Sequence, residues 1–273
     1  MTTRPSTSRT ISSWLASAEG QTWWARDDRG PHRAASTIKL PIAVAAHRLH
    51  ERGVLDLDAP VRVRDELDSV VTGRRYSVHR DYDQDPATWE QLGQEVPLRD
   101  LVRRSISVSG NLAANLVLEA VGLDEVAAVL EEAGASPLTT VTHGIEDEPA
   151  LEAGLRNVVT ARDLGLVLVG IVDGRLGGAG AMAAVEADLR AQTDRAGIPA
   201  GLPDGVVVAN KTGWIGGVTH DAALVRPSAH PPFVLVVLTR HGASQDDGSA
   251  LVARVAAQAW AALEERAGRP LQP

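Results

Sequence analysis

Ser36 and Lys39 stand three residues apart at the start of a stretch, Thr37 to Arg52, that is apolar almost all round through Leu40, Ile42, Ala43, Val44, Ala45 and Ala46. A serine hydroxyl is a poor nucleophile until a neighbouring base takes its proton. Residues three apart on a helix share a face, so the Lys39 amine can reach the Ser36 hydroxyl. A helix without a polar face belongs in a core, and burial disfavours the charged form of an amine. Lysine usage points the same way: of 27 basic residues only Lys39 and Lys211 are lysines, the rest being arginines. Arginine serves wherever a charge suffices, whereas lysine adds a compact ammonium that can give up its proton. Lys211 opens Lys211-Thr212-Gly213 after a β-branched run, and its charge near Lys39 would push that amine further towards neutrality. The free N–H groups of the helix start at Ser36 also favour a developing oxyanion.

A third group of chemical interest is Ser107-Val108-Ser109-Gly110-Asn111, ahead of the apolar stretch Asn111 to Ala120. Taken singly, each piece has a plainer reading. Ser36 can be a helix cap, Lys39 a residue whose stem lies on apolar surface, and Ser109 or Asn111 the cap of the helix that follows. It is their joint occurrence that points to a serine acyl-enzyme.

The elements that must position these groups follow from periodicity and punctuation. Residues 1–10 read as a loose tail and 11–273 as one domain. A helix is expected to start over Ile11 to Ala18 and a strand over Gln21 to Arg26. Helices are expected over Thr37 to Arg52, Asn111 to Ala120, Asp124 to Ala133 and Ala179 to Gln192, and another from Thr160, with Asp163 reaching back as its capping partner. Residues 72–97 lack clear periodicity and read as a long surface excursion. Val206 to Asn210, His220 to Arg226 and Phe233 to Arg240 are strands, and Ser249 to Glu265 is a terminal helix. The fold class is α+β: an antiparallel sheet from the N- and C-terminal segments, flanking helices and a mainly helical middle.

In chain order, Ser-x-x-Lys at 36–39, Ser-x-Asn at 109–111 and Lys-Thr-Gly at 211–213 resemble the three motifs of the serine β-lactamase and penicillin-binding-protein superfamily, most closely its class A branch. The run from Ser107 to Glu119 is similar to that branch's second motif, with Gly110 where aspartate is commoner. The resemblance extends from about Gln21 to the terminal helix. It implies that Ser36 attacks a carbonyl, Lys39 is its base, and Ser109 passes a proton to the leaving nitrogen under the influence of Lys211. It further implies that Asn111 holds a substrate amide and that Thr212 with Lys211 binds a carboxylate. The backbone N–H groups of Ser36 and Trp214, beside Gly213, would form the oxyanion hole.

The departure from class A is in the segment that should supply the deacylating glutamate together with a water-holding asparagine. Glu148-Pro149-Ala150-Leu151 fits the first four positions, but Glu152 stands where asparagine is usual, and the loop before Arg156-Asn157 is short. Glu148 is the candidate deacylation base, and slow release of an acyl group is expected. His143 reads as solvent-facing and His220 as structural.

The net charge of -8 and pI near 5.5 argue against a nucleic-acid partner. The absence of cysteine excludes disulfides and thiolate chemistry. No second ligand stands at metal spacing from either histidine, so neither metal nor cofactor is expected. The expected partner is a small molecule with a carbonyl and a carboxylate, acting on a monomer and without a membrane. With no apolar stretch behind the polar first ten residues, the expected compartment is cytoplasmic, or secreted if a leader has been removed. Two other functions fit the same motifs: a cytoplasmic acyltransferase or esterase, and a penicillin-binding sensor that stays acylated.

Overall fold

The computed structural model describes residues 9–267. The chain opens with β1 (Thr10–Ser17) and β2 (Thr22–Arg26), an antiparallel pair. A short strand β3 (His32–Arg33) leads through a 3₁₀ turn at Ala35–Ile38 into the central helix α1 (Lys39–Glu51). Then come β4 (Pro60–Arg62), β5 (Glu66–Asp68), β6 (Arg75–Ser77), a one-turn helix α2 (Pro86–Trp89) and β7 (Glu95–Pro97). The helical middle comprises α3 (Leu98–Ser107), α4 (Asn111–Val121), α5 (Leu123–Ala133), α6 (Glu148–Glu152), α7 (Ala161–Val172) and α8 (Ala179–Arg190), with β8 (Val158–Val159) pairing to β3. The chain returns to the sheet in β9 (Val207–Ile215), β10 (Val218–Arg226) and β11 (Phe233–Arg240), followed by α9 (Gln245–Ala267).

The main sheet has the order β2-β1-β11-β10-β9, so the early strands do join the late ones. In β1, β10 and β11 alternate residues face opposite cores. Trp14, Ala16, Ala222, Leu224, Val234, Val236 and Leu238 pack against the helical body around α1. Leu15, Ala223, Val225, Phe233, Leu235 and Val237 pack against α9 through Val252, Val255 and Ala256. This period of two, buried on both faces, is why β1 is a strand and the expected helix over Ile11–Ala18 is not formed: a short apolar run buried on both sides looks alike in either conformation. Helix α1 is buried along its length from Lys39 to Leu49, as a helix with no polar face requires.

Other expectations also need correction. The tail assigned to residues 1–10 lies outside the described residues as far as residue 8, and Thr10 already belongs to β1. The 72–97 stretch is mostly exposed, as a surface excursion is, but it is anchored by the buried Asp85, Thr88 and Trp89, and α3, unforeseen in the sequence, follows it directly. Among the described residues no helix is long and apolar enough to cross a membrane.

Helix α7 is capped by Thr160, whose hydroxyl accepts from Asp163 N at 3.1 Å. The buried Asp163 carboxylate does not reach back to the cap. It accepts instead from Ser136 N (3.0 Å), Ser136 Oγ (2.7 Å) and Thr139 Oγ1 (2.7 Å), tying the loop after α5 to the start of α7. Hydrogen bonds to a charged group contribute about 1.5–3 kcal/mol each, and orphaned donors add a penalty. Asp163→Ala should therefore destabilise the protein by about 3 kcal/mol in urea denaturation, with Asp163→Asn milder. A loss below about 1 kcal/mol would mean that the loop is held by other contacts.

Candidate active site

Four elements converge on one cluster: the 3₁₀ turn carrying Ser36, the first turn of α1 carrying Lys39, the α3–α4 junction carrying Ser109 and Asn111, and the edge strand β9 carrying Lys211. The approach of β9 depends on Gly213. A β-carbon there would stand 3.0 Å from both Ser36 N and Thr37 N, so glycine lets the strand backbone run against the turn that carries Ser36. β9 is an edge strand, and an edge strand leaves part of its N–H and C=O groups unpaired by the sheet. Trp214, the residue after Gly213, is 42% exposed.

The Lys39 amine has no exposure to solvent. It donates to Ser109 O at 2.6 Å and Asn111 Oδ1 at 2.8 Å, and lies 3.4 Å from Ser109 Oγ. Its pKa is pushed well below the ordinary lysine value, first by burial and then by the neighbouring Lys211 charge, against the opposing pull of Asp83, Glu146 and Asp85. Lys211 is equally buried and donates to Ser109 Oγ at 3.0 Å and Thr212 O at 2.7 Å. Burial lowers its pKa to about 7, opposed by Asp221 and Asp194. The Ser109 hydroxyl thus lies between two amines whose pKa values burial lowers. Ser36 is half-buried, one turn before Lys39.

Two residues of this cluster region hold backbone that L-residues rarely adopt: Ala35 (φ 47°), just before Ser36, and Ser109 (φ 61°). Left-handed non-glycine residues cost on the order of 1–3 kcal/mol and persist where the surroundings over-determine them. At Ser109 the twist lets one residue present both its carbonyl and its hydroxyl to the amines.

Asn111 is bonded on both ends of its side-chain amide. Besides accepting from Lys39, it donates through Nδ2 to Tyr82 O at 3.1 Å and, at 3.5 Å, to Glu146 Oε1. Glu146 is the carboxylate that reaches the cluster. Glu148 does not: it is exposed at the first position of α6, and the hydrogen bond it makes runs from its backbone N–H to Glu146 O at 2.8 Å. Asp147, buried between them, decides which of the two points inwards. Its carboxylate accepts from Ala150 N (3.1 Å), Ser69 Oγ (2.6 Å) and Val70 N (3.3 Å), starting the helix there. Glu146 before it sits at φ 64°, its Oε2 accepting from His79 N at 3.0 Å and His79 Nδ1 at 2.8 Å. Glu152, where an asparagine was missed, pairs with Arg74 at 3.3 Å. Glu146, Glu148 and His79 share a cleft of about 290 Å³ with Tyr76, Arg74 and Arg75.

Asn157 clasps the neck of this loop, its Oδ1 accepting from Thr142 N at 2.7 Å and its Nδ2 donating to His143 O at 2.9 Å. His143 is buried rather than solvent-facing and bonds Gly144 O through Nδ1 at 2.6 Å. His220 is structural. Its Nδ1 accepts from Thr239 N, its Nε2 donates to Arg33 O, and burial lowers its pKa to about 3. Among the described residues no group of three or more His, Asp or Glu side chains is placed to hold a metal ion. The sequence carried no motif for Glu146, His79, Tyr82 or Asp83; the only signal was the acidic run shared with Glu148.

Residues 5–263 match the family described as the beta-lactamase enzyme family. No sequence among curated proteins matches significantly. Of solved structures, a beta-lactamase from Sphaerobacter thermophilus DSM 20745 is 26% identical over 97% of this chain and 95% of its own, with a TM-score of 0.78. L2 complexed with relebactam is 24% identical over 94% and 92%, with a TM-score of 0.80. PBP-A is 21% identical over 97% and 92%, with a TM-score of 0.78. The last two are likenesses of fold.

Arginine cannot give up its proton at ordinary pH. Lys39→Arg should therefore lose about a hundredfold or more in the rate at which a serine-directed acylating probe modifies Ser36, the usual scale for a general base. Lys211→Arg should be milder. Because Lys211 titrates at about 7, its proton is present below that pH and lost above it. The wild-type rate should fall as pH rises past neutrality, and Lys211→Arg should remove that limb. Equal losses in the two variants, with unchanged pH profiles, would overturn the division of roles.

Proposed function

The chain belongs to the beta-lactamase enzyme family, and on that premise we propose that it is a serine hydrolase that forms an acyl-enzyme at Ser36 on an amide or β-lactam carbonyl and releases it slowly. The observation that carries this reading is the buried Lys39 amine, one turn after Ser36 and bonded to Ser109 and Asn111. Burial and the neighbouring Lys211 charge both favour the neutral amine of a lysine so placed, the form that can act as a base.

In the first step Ser36 Oγ bonds to the carbonyl carbon while its proton passes to Lys39 Nζ. The carbonyl oxygen gathers negative charge against the backbone N–H groups of Ser36 and Trp214. The C–N bond then breaks, and the leaving nitrogen takes the Ser109 hydroxyl proton, which Lys211 replaces. Thr212 with Lys211, beside the Gly213 backbone, receives a substrate carboxylate. Asn111 has its amide N–H groups directed to Tyr82 O and Glu146, so we assign it to holding Lys39 before holding any substrate amide.

Deacylation needs a base for water, and Glu146 is a better candidate than the exposed Glu148. Both Glu146 oxygens already accept hydrogen bonds, and His79 holds one of them through two donors. A carboxylate so engaged is a weakened base, which supports slow release and favours the penicillin-binding sensor as second reading. The two readings differ only in the rate of the last step.

Time-resolved intact-mass measurement with nitrocefin or penicillin should show an adduct on Ser36 that decays slowly, with kcat below the enzyme median of about 10 per second. Glu146→Gln should slow the decay by about a hundredfold, and Glu148→Gln should leave it within about twofold. The reverse ranking would return the role to Glu148. The Glu146 carboxylate raises the pKa of His79, so the charged imidazole persists to higher pH than usual before it is lost. Decay should quicken as pH rises through that titration, and His79→Ala should decay with a flatter profile.

A further inference from the structure

Helix α4 lacks a cap of its own: the residue before it, Gly110, has no side chain to bond the free N–H groups of the first turn. The bonds come from elsewhere. Asp83, at the end of a 3₁₀ turn at Arg80–Tyr82, accepts from Asn111 N through Oδ1 at 2.8 Å and from Leu112 N through Oδ2 at 2.9 Å. Trp89 Nε1 donates to the same Oδ2 at 2.9 Å and holds the carboxylate in place. The space that a side chain at Gly110 would occupy is filled from the same segment. A β-carbon there would lie 2.9 Å from Asp85 Cβ and 3.0 Å from Asp85 Oδ2, and Asp85 is itself buried and bonded to Thr88.

The residues that Asp83 fixes are the ones that hold the Lys39 amine. Asn111 takes the bond from Asp83 on its backbone N and presents Oδ1 to Lys39 at 2.8 Å. Two residues earlier, the left-handed Ser109 presents its carbonyl to the same amine at 2.6 Å. Tyr82, adjacent to Asp83, accepts from Asn111 Nδ2 with its carbonyl. The backbone and the side chain of Asn111 are thus both anchored to one segment, nearly thirty residues away in the chain.

We propose that Asp83 is a positioning residue for acylation: its carboxylate caps α4 from outside the helix and thereby holds Asn111 and Ser109 where they grip Lys39. The assignment rests on the serine-hydrolase reading above for its effect on rate, but not for its effect on Lys39. Of the charges that favour the Lys39 ammonium, Asp83 is the foremost, ahead of Glu146 and Asp85, while Lys211 opposes it.

Lys39 and Lys211 are the only lysines in the sequence, so protein labelled with ¹³C at lysine Cε gives two signals, separable with Lys211→Arg. Asp83→Asn keeps the size of the side chain but sets an amide donor against an N–H donor. It should move the Lys39 titration to lower pH and leave that of Lys211 nearly in place. It should also slow acylation of Ser36 by about tenfold, and Asp83→Ala by more, since small misplacements of catalytic groups can cost about a hundredfold. Moving the carboxylate onto the helix, in Asp83→Ala with Asp85→Gly and Gly110→Asp, should restore a good part of the rate, which a fold defect would not allow. If the Lys39 titration and the acylation rate of a folded Asp83→Asn both match wild type, the proposal is overturned. If wild type itself gives no adduct at Ser36 while the Lys39 titration still shifts, the positioning role stands and the serine-hydrolase reading fails.

Discussion

A lysine amine shut off from water must find its hydrogen-bond acceptors within the protein, because each N–H left unpaired costs free energy and the charge itself is opposed by burial. Lys39 meets this condition with Ser109 O and Asn111 Oδ1, both about 70 residues away in the chain. The rest of the site is arranged around that requirement. The central helix carries Lys39 into the core, the α3–α4 junction supplies the acceptors, and β9 brings Lys211 close enough to push Lys39 further towards the neutral form.

Meeting it requires backbone that costs free energy locally. Ser109 and Ala35 sit in left-handed conformations without being glycine, and Gly213 is needed where β9 meets the turn that carries Ser36. Such strain survives only when neighbouring packing leaves no alternative. The five-stranded sheet, covered on both faces, and the segment around Asp83 and Asp85 provide that constraint. Rigidity around Lys39 and strain at its partners are two sides of one arrangement.

The loop carrying Glu146 follows a different logic. It is held by Asp147 as helix cap and by the neutral amide of Asn157 at its neck. Its inward carboxylate lies between Asn111 and a solvent-exposed His79. The half of the site around Lys39 and Lys211 is dry and tightly bonded, whereas the half around Glu146 and His79 is open.

Much of this was legible in the sequence. The two lysines in their settings, the Ser-x-x-Lys, Ser-x-Asn and Lys-Thr-Gly groups, the buried helix after Ser36 and the late strands joined by an early one are all written in residue type and short-range spacing. The depression of the Lys39 pKa by burial and by Lys211 followed from the same reading. The sequence could not tell strand from helix at Ile11–Ala18, because an apolar run buried on both faces has no exposed side to reveal its period. Nor could it tell Glu146 from Glu148, or find Asp83. Which carboxylate faces the amine depends on where Asp147 caps a helix and on which segment crosses Gly110. Those are contacts between residues far apart in the chain, and only the folded chain brings them within hydrogen-bonding distance.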